Sequence, residues 1–325
     1  MKSSEAKKII VITGPTATGK SAIGIALAKE IGGEVVSADS MQVYKYMDIG
    51  TAKPTKEEMR GIAHHMIDVV PPWEDYSVAR YVKEASLCVE GILSSKKIPI
   101  IVGGTGLYID SLIRGHGFVS RPDPELRKKL EEKYDTDGGE AMLLELSNLD
   151  KKRAEKLHPN DKKRIVRAFE AVLSGNVPIS RHDEKTKTLP PRYSAIKIAL
   201  TYTDRALLYE RIDRRVDAMI TAGLKDEVAE LLKKGVSKNA TAMQAIGYKE
   251  MQSVLDKTAD LSTAAEIIKT QSRRYAKRQM TWLRRDDNIK WIAMDSTRSA
   301  APGSTGNSTH TQYARMILEM INEAK

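Results

Sequence analysis

The residues from Gly14 to Ser21, GPTATGKS, fit the pattern G-x-x-x-x-G-K-[ST] and stand between a β-branched run and a run with helical spacing. In that context backbone N–H groups and a helix N-terminus cradle phosphate oxygens. Lys20 would neutralise the bound anion, and the Ser21 hydroxyl would ligate Mg²⁺. A nucleotide kinase built on such a loop also carries an acid at the end of a neighbouring buried strand to hold the metal. Here the best candidate strand, IPIIV, ends in Gly103, Gly104 and Thr105. The loop can therefore hold a diphosphate, and nothing beside it demands an adenosine on that diphosphate.

Two further side chains stand out. Asp39, in SADS, lies just past a second strand, at the edge where parallel sheets place ligands. It is equally placed to cap a turn with Ser40, and the residues alone leave both roles open. Arg215 lies in LLYERIDRRVDAMI, where Leu208, Ile212 and Met219 fall within about 40° of one another on a helical wheel with Arg215 beside them. A guanidinium on an apolar face needs an anion, unless its stem carries it out to solvent.

A third feature is basic. In RRYAKRQMTWLRR, residues 273–285, Arg273, Arg274, Lys277, Arg278, Arg284 and Arg285 share an arc of roughly 140°. Tyr275, Gln279, Met280, Trp282 and Leu283 take the other side. Solvated faces normally mix signs, and this segment has no Asp or Glu, so the spacing predicts contact with a phosphate backbone. A second tract, Lys151 to Arg167, holds eight Lys or Arg and two acids. The whole chain of 325 residues has a formal net charge of +10, which agrees with a polyanionic partner without requiring one.

These residues need a scaffold. KKIIVIT, GEVVSADS, KKIPIIVGGTG and YSAIKIAL read as buried strands separated by helical segments, a pattern that predicts an α/β fold with a parallel sheet covered on both faces. From about Arg121 to Pro191 the chain is charged, helical and poor in strand signals, which predicts a helical insertion (121–191) in a core of 1–120 and 192–325. Long helices then run to about Arg285, followed by a short strand, IKWIAMD, a Gly/Ser/Thr/Pro linker and a last helix. The single cysteine, Cys88, excludes an intramolecular disulfide and a Cys-rich zinc module. His64 and His65 have no Cys or Glu at metal spacing and read as structural. No stretch approaches the ~18 apolar residues of a membrane span, so the chain is expected to be cytoplasmic.

The segments GPTATGKS, VVSADSMQVYKYMDIGTAKPT, HHMIDV, YSVARY, IVGGTGLYI, HPNDKKRIVRAFE, QAIGYKE and KRQMTWLRR resemble, in that order, the signature segments of the bacterial tRNA dimethylallyltransferase family. The resemblance spans about 14 to 285. It implies that the loop formed by Gly14, Pro15, Thr16, Ala17, Thr18, Gly19, Lys20 and Ser21 grips the diphosphate of dimethylallyl diphosphate, with Mg²⁺. It makes Asp39 the general base toward the exocyclic N6 amine of the adenosine beside the anticodon. Lys20 and Arg215 would stabilise the departing diphosphate, and Thr105 would turn its hydroxyl toward the reacting centre. The tRNA contacts it implies are Asp39, Ser40, Met41, Gln42, Thr105 and Arg127, then Asn160, Asp161, Lys162, Lys163 and Arg164 in the insertion. They continue with Gln244, Ala245, Ile246, Gly247, Tyr248 and Lys249, and with Lys277, Arg278, Gln279, Met280, Thr281, Trp282, Leu283 and Arg284. A monomer is expected. The competing readings are a P-loop kinase, a silent RNA-binding module and a prenyl transferase acting on free adenine nucleotides. The first leaves the basic helix unexplained, the second the phosphate loop, and the third offers too few phosphates for so many cations.

Overall fold

Residues 9–12 alternate their side chains between two apolar layers, as a parallel strand buried on both faces requires. The computed structural model describes residues 7–115, 123–175, 178–295 and 306–323. Its strands are β1 (Lys8–Thr13), β2 (Glu34–Ser37), β3 (His64–His65), β4 (Pro99–Val102), β5 (Ser194–Thr201) and β6 (Lys290–Ala293), all paired in parallel in the order β3-β2-β4-β1-β5-β6. The helices are α1 (Lys20–Ile31), α2 (Lys56–Met59), α3 (Val78–Ser94), α4 (Gly106–Arg114), α5 (Pro124–Leu149), α6 (Lys151–Ala154), α7 (Lys162–Gly175) and α8 (Ile179–Lys187). They continue as α9 (Arg205–Thr221), α10 (Leu224–Lys233), α11 (Tyr248–Leu255), α12 (Leu261–Leu283) and α13 (Gly306–Asn322).

On one face of the sheet, Ile9, Val11, Val36 and Ile101 pack with residues of α3, α4 and α10 to α12. On the other, Ile10, Ile12, Ile100 and Ile198 pack with Ile23 and Leu27 of α1 and with Tyr313 and Ile317 of α13. The α/β fold with a parallel sheet covered on both faces is thus the observed one. β1 lies between β4 and β5, so the chain moves to one side of it first and to the other later. The crevice outside the carboxyl end of β1 is the place where such a sheet receives ligands.

The chain divides into two compact units, Met1–Gly115 with Arg192–Lys325, and His116–Pro191. The second has its own core of Leu130, Met142, Leu146, Ile165, Val166 and Phe169, and α5 is broken at Gly138, which has φ 81° and ψ 163°. β3, at the sheet edge, carries no strand signal in the sequence because only two residues pair. There His65 meets Glu34 at 2.7 Å. Hydrogen bonding with Cys88 and then with Glu34 pushes the His65 pKa up to about 9 against the effect of burial. The boundary expected near Arg121 and most of the expected linker (296–305) lie outside the described residues.

Candidate functional site

The loop from Gly14 to Gly19 leaves β1 and enters α1 through Gly19, which caps the helix with φ 86°, a left-handed conformation that favours glycine. Thr18 donates its hydroxyl to the Pro15 carbonyl at 2.9 Å, and Lys20 donates its ammonium to the same oxygen at 2.7 Å. No carboxylate pairs with Lys20 among the described residues. Burial pushes its pKa down to about 7, Arg215 pushes the same way, and Asp39 opposes both. Arg215, from α9, likewise makes no hydrogen bond or ion pair with the described residues. Burial lowers its pKa and the Asp39 carboxylate raises it. Two cations beside one acid form a site that lacks an anion.

The end of β4 explains the missing acid. A Cβ on Gly103 would lie 2.3 Å from the Ala38 carbonyl oxygen, and one on Gly104 would lie 2.2 Å from Nε2 of Gln279. No side chain fits where a nucleotide kinase would place its metal-holding carboxylate. Gln279, from α12, fills that space. It accepts from the Thr16 backbone N–H at 2.9 Å and donates to the Gly104 carbonyl at 2.9 Å.

Asp39 combines the two roles that the residues left open. Its Oδ1 accepts from the backbone N–H groups of Met41 at 2.9 Å and Gln42 at 3.3 Å, whereas no hydrogen bond with the described residues uses Oδ2. Two cavities meet at this carboxylate. The larger, of about 500 Å³, is lined by the phosphate loop, including Ser21, together with Arg60, Arg211 and His310. The smaller, of about 280 Å³, has mainly apolar walls that include Met41, Ile212, Val216, Met219, Ile246 and Ile268. Thr16, Asp39, Thr51, Arg215 and Tyr275 line both. Ser40, Gln244, Ala245 and Arg278 also line the smaller one, and Gln42 lines the larger.

Several predicted contacts fall elsewhere. Thr105 lines neither cavity. Its hydroxyl accepts from the Ser40 N–H at 3.0 Å and so holds the loop that carries Asp39. Gln279 and Leu283 are buried at 7% and 2% exposure; the first clasps the phosphate loop and lines the larger cavity, and the second packs with Ala199 and Ile289. Tyr248 is fully buried and donates to Glu227, so its ring supports the 48–50 loop, whose N–H groups Glu227 also binds. Gly247 is buried beside it, and Lys249 is exposed. Met280 is half-buried against Thr201, Trp282 covers Gly106, and Thr281 is exposed but donates to the Lys277 carbonyl.

In the insertion, Arg127 forms a two-bond pair with Glu170 at 2.9 Å for each bond. Glu170 is buried at 1% exposure, and a buried carboxylate holds its partner, so Arg127 has a structural task that the sequence does not show. Lys162 pairs with Asp135 at 2.5 Å and Arg164 with Asp161 at 3.5 Å. Asn160 and Lys163 are exposed.

On α12 the outcome is different. Arg273 pairs with Asp213 at 2.7 Å, but Arg274, Lys277, Arg278, Arg284 and Arg285 are exposed and make no ion pair with the described residues. Tyr275 and Arg211 are site residues that the sequence reading missed. Arg211 was open to inference, being one helical turn before Arg215; it donates Nε to the Ala17 carbonyl at 3.0 Å. Burial pushes the Tyr275 pKa up to about 12.

This is a parallel α/β protein with a two-chambered cleft at the switch point of its sheet, one chamber cationic and the other mainly apolar. A family model described as IPP transferase matches residues 42–286, and another, isopentenyl transferase, matches residues 7–70. The tRNA dimethylallyltransferase of Acetivibrio thermocellus is 49% identical over 288 residues, covering 88% of this chain and 92% of that protein; that of Carboxydothermus hydrogenoformans is 50% identical over 287 residues, covering 88% and 92%. Among solved structures, the full-length tRNA isopentenylpyrophosphate transferase of Bacillus halodurans aligns with a TM-score of 0.68 and 38% identity, covering 98% of this chain and 97% of that one. A eukaryotic dimethylallyltransferase acting on tRNA aligns with a TM-score of 0.77 and 30% identity, covering 90% and 77%. The chain belongs to the tRNA dimethylallyltransferase family of enzymes.

The lowered Lys20 pKa has a measurable consequence. A bound diphosphate raises it, so binding takes up a proton at pH values above the free pKa and below the bound one. Calorimetry of an organic diphosphate at pH 8, in buffers of different ionisation enthalpy, should show uptake approaching about one proton per site. The share of that uptake due to Lys20 should fade as the pH drops below 6, where Lys20 is already charged, and Lys20→Arg should abolish most of the uptake at pH 8.

Proposed function

We propose that the protein transfers a dimethylallyl group from dimethylallyl diphosphate to the N6 amine of the adenosine adjacent to the anticodon in tRNA and releases diphosphate. The observation that carries this reading is the shared wall: Asp39 and Arg215 line both the cationic chamber and the mainly apolar one. Diphosphate would occupy the larger chamber and the prenyl group would extend toward the smaller. The adenosine, out of its stack, would reach the same carboxylate.

The adenine amine is a poor nucleophile, because its lone pair is drawn into the ring, and a carboxylate is too weak a base to deprotonate it beforehand. Asp39 would instead orient the amine through Oδ2 and take its proton as the C–N bond forms. The allylic C–O bond breaks with its electron pair leaving on diphosphate, and Lys20 and Arg215 stabilise that charge in a site screened from water. Thr105 acts through Ser40, as a positioning residue.

Among the described residues, no three His, Cys, Asp or Glu side chains gather as a metal cage. Mg²⁺ nonetheless fits a site of this kind, because it keeps waters and binds substrate phosphates; the Ser21 hydroxyl, which lines the larger chamber, would be its protein ligand. When bound, it would neutralise charge on the leaving diphosphate.

The unpaired cations of α12 support tRNA over a free nucleotide as the acceptor. Lys163 and Arg164 in the insertion would add phosphate contacts. Labelled dimethylallyl diphosphate offered to total tRNA, AMP and ATP tests the acceptor: label should enter tRNA, and transfer to AMP or ATP alone would contradict the reading. In single-turnover reactions Asp39→Asn should slow transfer by about 10² to 10⁴ while diphosphate affinity changes little; near-normal transfer would leave Asp39 as a turn cap. Changing Lys277 and Arg278 to Ala should lower the log–log salt slope of tRNA binding by about 0.7 to 0.9 for each phosphate that the variant no longer neutralises. An unchanged slope would mean that this face points away from RNA.

A further inference from the structure

The last described helix reaches the phosphate loop. On its inner side α13 buries Tyr313, Ala314, Ile317 and Ile321 in the cluster that contains Ile23 and Leu27 of α1. Tyr313 donates its hydroxyl to the Met294 carbonyl at 2.8 Å, and Lys290 donates to the Met320 carbonyl at 2.7 Å. The helix is thus fixed near both ends, and its early part brings one side chain to the wall of the larger chamber.

His310 stands there. Nε2 is 3.9 Å from the point that a Cβ on Gly19 would occupy, so the glycine at the start of α1 leaves room for the ring. The imidazole lines the chamber with Lys20, Ser21, Arg60 and Arg211, and it makes no hydrogen bond with the described residues. Groups with anionic character are few on this side. Glu58 from α2 lines the chamber, and Asp39 lies deeper, where it faces Lys20 and Arg215. Nothing in the packing of α13 requires a polar, ionisable ring at this position.

We propose that His310 is a further diphosphate-binding residue, whose Nε2–H hydrogen-bonds an outer phosphate oxygen and whose ring takes up a proton as the diphosphate enters. The inference rests on the reading of the larger chamber as a diphosphate site. In the free protein, burial and then the charges of Arg60 and Arg211 hold the imidazole below its ordinary pKa. A bound anion reverses the charge balance around the ring. Affinity gained through His310 is therefore present at low pH and lost as the pH rises through the bound-state pKa.

Proton–carbon NMR of the protein labelled in its histidine rings, with and without saturating dimethylallyl diphosphate, reads this directly; His310→Gln assigns the resonance among the six histidines. The expected result is an upward shift of the His310 titration by about one pKa unit or more on binding. His310→Gln should weaken dimethylallyl diphosphate binding by up to about tenfold at pH values below the free-state titration of His310, since one pKa unit corresponds to about tenfold in affinity. The difference should shrink as the pH rises. A ligand that binds normally while the His310 titration stays in place would overturn the inference and leave the functional reading intact. Failure of the wild-type protein to bind dimethylallyl diphosphate at all would remove that reading, and the inference with it.

Discussion

The site is held together by one buried amide. Gln279 joins the N–H of Thr16 to the carbonyl of Gly104, so a single α12 side chain ties the phosphate loop to the end of β4. Both backbone groups are half-buried at the cavity wall, and a fully buried group left without a partner would cost about 1–3 kcal/mol. The clasp also fixes α12 in rotation. With Gln279 turned inward, Tyr275 faces the two chambers one helical turn earlier, Lys277 and Arg284 are exposed, and Arg278 is exposed at the rim of the smaller chamber. Binding of the small ligand and presentation of the basic face thus depend on one helix whose orientation is set at the site itself.

Around that clasp the electrostatics are left incomplete. Lys20 and Arg215 are buried in the cleft, where Asp39 is the carboxylate that acts on both, and only Oδ1 of Asp39 is taken by hydrogen bonds with the described residues. A structural ion pair would satisfy its members, as Glu170 does for Arg127 in the insertion. Burial instead lowers the pKa of both Lys20 and Arg215 in the free protein, and an incoming anion favours their charged forms. Many ligands fit a phosphate loop, and fewer fit one flanked by these charges, so the flanking groups bear on the proposed diphosphate more than the loop pattern does.

Much of this was legible from the sequence. The strands at 8–13, 34–37, 99–102 and 194–201 follow from β-branched runs bounded by turns, and their neighbours follow from helical spacing. Asp39 and Arg215 were legible because a carboxylate at a strand end and an arginine on an apolar face are local anomalies. Contacts between distant segments were hidden. Gln279 meets Thr16 across 263 residues, His310 meets Gly19 only because α13 docks on α1, and Arg127 meets Glu170 across 43 residues. A motif carried over from a family also says nothing of which side chain in it is buried, which is why Tyr248, Gln279 and Leu283 proved to be supports.

In the proposed reading the cleft takes a prenyl diphosphate far better than the nucleoside triphosphate that its loop pattern would suggest. Equilibrium competition at the loop, with Mg²⁺ present, between dimethylallyl diphosphate and ATP tests it most directly. Displacement by dimethylallyl diphosphate or pyrophosphate is expected at far lower concentration than by ATP, with no steady hydrolysis of ATP. Tight ATP binding with sustained turnover would contradict it.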